Sequence, residues 1–341
     1  MLKVGIVGLG TVSSVHLLSI NNSRYATLAS VCDIDKNKYE SKLEQIKNKS
    51  IPFYTNYKEM IDNEDLDVVH ICLPHYLHAE VSEYAVKKGI HVFCEKPVDV
   101  GYKKSKELEE FHKKLQNNTK IGICFQNRYN STVSKLKEIL EEDDNQIFAV
   151  KGIVSWYRTE EYYKSSPWRA KVDTAGAGVI INQAIHTLDL CNYLSGRKWE
   201  RIKASTSSLL GYDIEVEDTA VANIYYEDNV RGLFIATNSY SINDTVEVQV
   251  VTNKDKYTIK ENRLYNRKHD ILAEDEKSLH TKDYYGAGHE KLINKFYKAI
   301  LDDSDDYVNL SSALKTMEMI DAIKESSDHN KFVERNDIIG V

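Results

Sequence analysis

Near its amino end the chain reads Lys3-Val4-Gly5-Ile6-Val7-Gly8-Leu9-Gly10-Thr11-Val12-Ser13. Lys3–Val7 is a short, almost wholly apolar run, as expected of a strand covered on both faces. Two glycines then stop it, and a helical stretch follows over 12–20. In a strand–turn–helix of this kind the first glycine permits the tight turn. The second lets a pyrophosphate approach the backbone at the helix N-terminus, where unbonded N–H groups and the helix dipole favour an anion. Gly8, Gly10, Thr11 and Val12 are therefore the expected cofactor cradle. Ser13 stands where a dinucleotide fingerprint has its third glycine; it is small enough for close helix–strand packing but departs from the pattern.

Working outward, the βα rhythm repeats. Strand-like runs at 27–32, 68–73, 91–94 and 120–125 alternate with helical stretches at 36–48, 77–88 and 102–116. Such alternation predicts an α/β, doubly wound parallel sheet for residues 1–124. The second strand ends in Asp33, placed to accept hydrogen bonds from the adenosine ribose hydroxyls. Its charge would repel a 2′-phosphate, so NAD is expected in preference to NADP; its simpler role is to cap the helix starting near Asp35. A later strand ends in Leu73-Pro74-His75-Tyr76-Leu77-His78. Leu73, Pro74 and His75 are expected to floor the nicotinamide side, with His78 either joining them or making a structural hydrogen bond at the helix start.

Glu95-Lys96-Pro97 follows the strand at 91–94. Open α/β sheets bind ligands at the carboxyl ends of their strands, and Pro97 keeps Lys96 out of any following helix. Lys96 is expected to meet cofactor and reacting group, with Glu95 beside it on the cofactor side.

A chain of 341 residues, 42% hydrophobic and 28% charged, has the makings of two ordinary globular domains. The net charge of −7 argues against nucleic acid or an anionic membrane as a partner. No apolar run approaches the roughly 20 residues that span a bilayer. The five cysteines (32, 72, 94, 124, 191) are scattered, with no Cys-x-x-Cys. Neither disulfide nor metal site is expected, and a cytoplasmic location is.

Residues 125–341 read differently. A helix over 131–142 precedes longer alternating runs at 147–156, 201–208, 216–226, 230–238, 245–251 and 256–266. They predict an α+β domain whose large, mostly antiparallel open sheet has one face under helices. The exposed face makes a homodimer or homotetramer the expected assembly. Within this domain, Gly176-Ala177-Gly178-Val179-Ile180-Ile181-Asn182-Gln183-Ala184-Ile185-His186-Thr187-Leu188-Asp189 has helical periodicity. Ile181, Ile185 and Leu188 form a core stripe, and Asn182, His186 and Asp189 repeat that spacing about 100° away. A histidine flanked by two groups able to orient it is a candidate general base. Arg128, Trp156, Arg158, Trp168 and Arg169 add aromatic surface and guanidinium groups suited to a polyhydroxylated or anionic substrate.

Taken together, Gly8-Leu9-Gly10, Pro74 through His78, Glu95-Lys96-Pro97, the helix carrying His186-x-x-Asp189 and Gly286-x-Gly288-His289 before a helix at 290–301 resemble the Gfo/Idh/MocA family of NAD(P)-dependent oxidoreductases. The resemblance runs over essentially the whole chain. It implies an enzyme acting on CH–OH groups of sugars, sugar derivatives or cyclitols. It further implies that Lys96 bonds the reacting oxygen, that His186 is general base or acid, and that Asp189 binds or orients substrate. Inositol-dehydrogenase-like members carry Asp four residues before the histidine, where this chain has Asn182, which brings no charge. Two other functions use the same fold: a nonenzymatic dinucleotide-binding sensor, and an NAD-dependent glycosidase working by transient oxidation.

Overall fold

The computed structural model describes residues 1–142, 144–276 and 287–340. Its first sheet is formed by β1 (Leu2–Val7), β2 (Ala26–Cys32), β3 (Phe53–Tyr54), β4 (Val68–Ile71), β5 (His91–Cys94) and β6 (Ile121–Ile123). All pairings are parallel, in the order β3-β2-β1-β4-β5-β6. The strand order reverses between β1 and β4, so their carboxyl ends open the crevice where dinucleotides bind in such folds. Residues 71–75 leave β4, and Lys96 leaves β5, at that crevice. β4 is buried along its whole length, which is why it reads as a continuous apolar run. β3 was not anticipated, because two residues after Pro52 carry no periodicity. The helix expected over 36–48 is only Lys36–Lys42, none of whose residues is buried.

The second sheet has nine strands: β7 (Ile147–Ser155), β8 (Trp199–Ser207), β9 (Thr219–Tyr226), β10 (Arg231–Thr237), β11 (Glu247–Thr252), β12 (Lys256–Lys260), β13 (Arg263–Tyr265), β14 (Ile271–Glu274) and β15 (Val333–Glu334). Their order is β14-β13-β12-β11-β7-β10-β9-β8-β15. β7 and β10 run parallel; the other neighbours are antiparallel. The run at 256–266 is two strands rather than one, since Glu261 and Asn262 turn the chain at φ of 52° and 60°. Burial alternates along β10 as the period of a strand requires, leaving one face inward.

Helices Ile185–Ser195 and Leu310–Asp328 cover the inward face. The first lies so close that a Cβ on Gly152 of β7 would meet Cys191 Sγ and the Thr187 methyl at 2.7 Å. The division at residue 124/125 is less clean in space than in sequence. Helix Gly288–Leu301 returns to the first sheet, where Phe296 packs on Gly122 and Phe93. Ile123 N–H then donates to Val308 O, so residues 308–309 cover the free edge of β6. Gly286 of the expected Gly286-x-Gly288-His289 motif lies outside the described residues. Among those residues, no helix is long and apolar enough to cross a membrane.

Candidate active site

Gly8 has φ of +94°, and a Cβ there would sit 2.4 Å from Cys72 O, so the β1 turn passes β4 with no room for a side chain. At Gly10 the reverse holds: an added Cβ would meet nothing within 4 Å, which leaves open space beside the backbone. The helix that follows, Ser13–Asn22, has no side-chain acceptor at its start (Val12 at the N-cap), and its N-terminal end, where the helix dipole favours an anion, opens beside Gly10. Ser13 is buried and donates to Gly10 O at 2.7 Å, fastening the turn in place of a third glycine. Asp33 Oδ2 accepts from Leu9 N–H at 2.8 Å and Oδ1 from Asp35 N–H at 2.9 Å. That carboxylate therefore ties the end of β2 to the glycine turn. These residues fit a dinucleotide.

Across the crevice, Leu73 and Pro74 are half-buried and His75 is buried. His75 Nδ1 lies 2.8 Å from Ala175 O, and its ring meets Trp168 edge-on. Burial, and His78 beside it, hold His75 well below the ordinary histidine value, so it is neutral. His78 is fully buried with Nδ1 2.6 Å from Pro97 O and Nε2 2.9 Å from Leu73 O. Its ring nitrogens brace two loops, which corrects its expected place among the cofactor contacts.

Lys96 precedes a cis peptide bond to Pro97. Its Nζ donates to Asn182 O at 3.3 Å, reaching across from the first domain to the second. Burial lowers the Lys96 ammonium from its ordinary value, and the charge of Arg169 acts in the same sense, while Glu95 opposes both. Glu95 itself is only 6% exposed and turns inward, away from any ligand. Its Oε1 lies 3.0 Å from His16 Nε2 and 3.7 Å from His289 Nε2. Burial pushes this carboxyl up, but the hydrogen bonds from the two histidines outweigh it and hold Glu95 well below the usual carboxylate range. Glu95 thus lies behind Lys96 with its carboxylate engaged by His16 and His289. Among the described residues, His16, Glu95 and Cys124 offer three ligand atoms within 4.8 Å of one another. His16 and Glu95 are hydrogen-bonded to each other there, and burial raises the Cys124 thiol well above its ordinary value.

The segment 176–195 departs from expectation. It is not one helix but two, Val179–Asn182 and Ile185–Ser195, with a break at Gln183 and Ala184. Glu217 sets the first piece: its carboxylate accepts from Gly178 N–H at 2.8 Å and Ile180 N–H at 3.1 Å. A Cβ on Gly178 would overlap Glu217 O at 1.8 Å, so only glycine fits. Because of the break, Asn182 does not face His186; its carboxamide donates back to Ala177 O and Gly178 O at 3.2 and 3.3 Å. Asp189 is not a free partner either. Its oxygens accept from Arg128 Nε at 2.7 Å, Arg128 NH2 at 2.6 Å and Thr316 Oγ1 at 2.7 Å, and Arg128 also donates to Ser312 Oγ. The side chains of this pair are 8% and 1% exposed. Arg128 and Asp189 form a buried fork-to-fork ion pair that anchors the helix, so each already has its charge partner within the fold.

His186 is 2% exposed. Its Nε2 lies 3.3 Å from Gln126 Nε2. Cys124 Sγ donates to Gln126 Oε1 at 3.7 Å, which leaves the amide nitrogen as donor and puts the imidazole lone pair on Nε2. Burial first, and the Lys96 charge second, hold His186 well below the ordinary histidine value. It is a neutral acceptor. Gln126 was missed because it lies 60 positions away in sequence.

Beside these groups runs a stack of alternating rings and guanidinium groups. Arg158 lies 4.8 Å over Trp156 and 5.4 Å over Tyr162; Arg169 lies 4.6 Å over Tyr162 and 5.2 Å over Trp168. Trp156 is buried, with Nε1 donating to Asp244 O, and Arg158 is buried with bonds to Tyr157 O and Asn243 Oδ1. Those two are held in the wall by bonds within the fold. Trp168 and Arg169 are half-buried at the open end. Tyr162, unforeseen at the centre, accepts from Gln183 Nε2 at 2.7 Å.

Residues 2–123 match the family model for the oxidoreductase family with NAD-binding Rossmann fold, and residues 133–258 match the GFO/IDH/MocA C-terminal domain. The chain belongs to the GFO/IDH/MocA oxidoreductase family. Among curated relatives, it is 23% identical to the myo-inositol 2-dehydrogenase of Thermotoga maritima over 241 residues, 68% of this chain and 67% of the relative. It is 28% identical to the inositol 2-dehydrogenase of Salmonella typhimurium over 204 residues, 59% of this chain and 57% of the relative. The WlbA dehydrogenase of Bordetella pertussis, solved with NADH and UDP-GlcNAcA, has a TM-score of 0.85 at 22% identity, covering 98% of each chain. At that identity the likeness is one of fold. This GFO/IDH/MocA chain is an NAD-dependent oxidoreductase whose first sheet forms its NAD-binding domain.

Proposed function

We propose that this protein is a dehydrogenase interconverting a secondary alcohol and a ketone on a sugar, sugar derivative or cyclitol, with Lys96 and His186 as its proton-handling pair. The observation that carries this reading is the reach of Lys96 Nζ to Asn182 O, which puts an ammonium from one domain at the backbone leading to His186 of the other. Bound NAD supplies the hydride acceptor or donor. In the oxidation direction the hydroxyl proton goes to the Nε2 lone pair of neutral His186, where the substrate oxygen replaces Gln126. The Lys96 ammonium donates a hydrogen bond to that oxygen as negative charge develops on it. In reduction, protonated His186 returns the proton. His186 is buried and Lys96 half-buried, so little water is left to screen the ammonium.

The stack of Trp168, Arg169 and Tyr162 forms the substrate wall in this reading. Arg169 makes no ion pair among the described residues, and with Lys96 it leaves the cleft positive; a substrate carrying a carboxylate or phosphate is favoured. The buried, unpaired state of all five cysteines is in keeping with a cytoplasmic enzyme. On the outer face of the second sheet, Ile153, Ile235 and Val221 are aligned across β7, β10 and β9, and we place a second copy of the chain against that apolar row.

The test is the absorbance of NADH formed or consumed across neutral sugars, inositols, uronic acids and sugar nucleotides. Turnover of one class, lost on Lys96→Met with NAD binding kept, is the expected result. Failure of every member in both directions would remove the assignment, and free sugar released from a glycoside without net NADH would replace it with transient-oxidation chemistry.

A further inference from the structure

Behind Lys96 the structure holds a line of polar groups that the reaction itself does not use. Tyr297 Oη lies 2.8 Å from His70 Nε2, His70 Nδ1 lies 2.8 Å from His16 Nδ1, and His16 Nε2 lies 3.0 Å from Glu95 Oε1. Tyr297, His70 and His16 are all 0% exposed. They come from three elements: helix Gly288–Leu301, strand β4 and helix Ser13–Asn22. Cores do not bring two imidazoles and a phenol into file without satisfying each contact, because an unmatched buried lone pair costs about 1–3 kcal/mol.

With Glu95 ionised and His70 neutral, two protonation schemes satisfy every contact. In the first, Tyr297 O–H donates to His70 Nε2, His70 Nδ1–H donates to His16 Nδ1, and His16 Nε2–H donates to Glu95. Both histidines are neutral, and every proton points toward the carboxylate. In the second, His16 is an imidazolium donating to both sides, and His70 is the opposite tautomer, giving Nε2–H to Tyr297. Charge counting selects the first. The carboxylate of Glu95 already faces Lys96, with Arg169 adding a further positive charge nearby. An imidazolium at His16 would be a second buried cation with no anion of its own. Burial acts the same way on His70, holding it well below the ordinary histidine value.

We propose that Tyr297, His70 and His16 form a one-directional hydrogen-bond chain ending on Glu95, and that with His289 they are positioning residues keeping Glu95 ionised behind the Lys96 ammonium. This rests on the reading of Lys96 and His186 as the proton-handling pair. The groups facing Lys96 are Glu95, Cys124, Arg169, His75, His186 and His289. Glu95 is the single anion among them at neutral pH, since Cys124 stays a thiol. If the chain is cut, Glu95 loses its donor and takes up a proton more readily, and Lys96 loses the charge that keeps it an ammonium.

The experiment needs no substrate. Histidine-selective ¹⁵N NMR of the NAD-bound wild-type protein at pH 7 should show His16 with N–H at Nε2 and His70 with N–H at Nδ1. His70 protonated at Nε2, or His16 as imidazolium, would overturn the chain. The Lys96 titration, followed by lysine ¹³C NMR and assigned with Lys96→Met, should move down by about one pH unit or more in Glu95→Gln and His16→Leu, a tenfold change in the free-amine fraction. Tyr297→Phe, which removes one oxygen, should produce a smaller shift of the same sign. An unmoved Lys96 in Glu95→Gln and Tyr297→Phe that still bind NAD would also overturn it. Failure of the underlying reading has a different signature: full turnover in Lys96→Met, whichever way the NMR results fall.

Discussion

The two titratable groups of the cleft are delivered by opposite means. Lys96 leaves the end of a parallel strand, and its environment is built largely within the first domain: Glu95 beside it, His16 on helix Ser13–Asn22 and His70 on β4. His186 sits one residue into a helix whose start is fixed by distant residues: Glu217 caps the preceding piece, Gln126 holds the ring, and Arg128 ties down Asp189 one turn later. A strand end presents a side chain by its position in the sheet order. A broken helix presents one only after several long-range bonds have agreed on where the break falls.

The sharpest way to break this comparison is Lys96→Met. If the strand-end ammonium is the oxyanion donor, turnover should fall on the order of 10²–10⁴-fold while NAD affinity, read by fluorescence titration, changes little. Undiminished turnover would leave the strand end a merely structural turn.

Next in size is the anchor of the helix side. Asp189→Ala or Arg128→Ala leaves one buried charge without its partner and should cost about 3–5 kcal/mol in denaturant unfolding. The double replacement Arg128→Met with Asp189→Leu should recover much of that loss, because no charge is then stranded. Equal loss in single and double variants would mean that the pair contributes by packing alone.

Acidification offers a third test, with a definite sign. His70, His75 and His186 are held well below their ordinary value of 6.5 in the folded protein. Below that pH the unfolded chain binds protons that the folded chain refuses. Stability from this source is complete above about pH 6.5 and falls as pH drops toward the folded values, by up to about 1.4 kcal/mol per pH unit for each histidine. Thermal midpoints measured from pH 7.5 to 5 should decline accordingly, and Tyr297→Phe should leave the His75 and His186 shares untouched. A flat profile would show that the burial of these rings is relieved by local opening.

The smallest effect is expected at Asn182. Its carboxamide only bonds back to Ala177 O and Gly178 O, so Asn182→Ala should alter turnover less than Gln126→Leu, which strips the partner of His186 itself. The reverse order would restore the same-face arrangement that unbroken helical periodicity implies.

The legibility of this molecule in its sequence follows the same divide. The glycine turn, Asp33, the strand-end Lys96 and the parallel sheet were readable, because a βα unit places its ligand-facing residues at fixed offsets from apolar runs. Asp33 sits at the end of β2 as expected, but the cap of the next helix is Asp35, whose side chain accepts from Asn37 N–H, while Asp33 accepts from Leu9 and Asp35 N–H. The strand β3 and the helix Leu310–Asp328 gave no comparable signal; the latter buries residues on several sides, which blurs its periodicity.

In the cleft, chemistry-bearing residues were found but their partners were not. Asn182 and Asp189 share the spacing of His186, and spacing alone could not reveal that the helix breaks at Gln183 and Ala184, or that Glu217, 39 positions from Gly178, caps the first piece. Nor could it show that Arg128 claims Asp189 from 61 positions away.

By itself, the sequence determined that the chain would build a dinucleotide crevice and put a lysine at its rim, because those outcomes depend on local backbone geometry and the period of a strand. Only the tertiary structure decided which polar groups touch. Glu95 turned inward to His16, and Tyr297 reached His70 across 227 positions. Hydrogen-bond partners in a buried site are chosen by the packing of whole elements, and that packing is settled by every residue of the core at once.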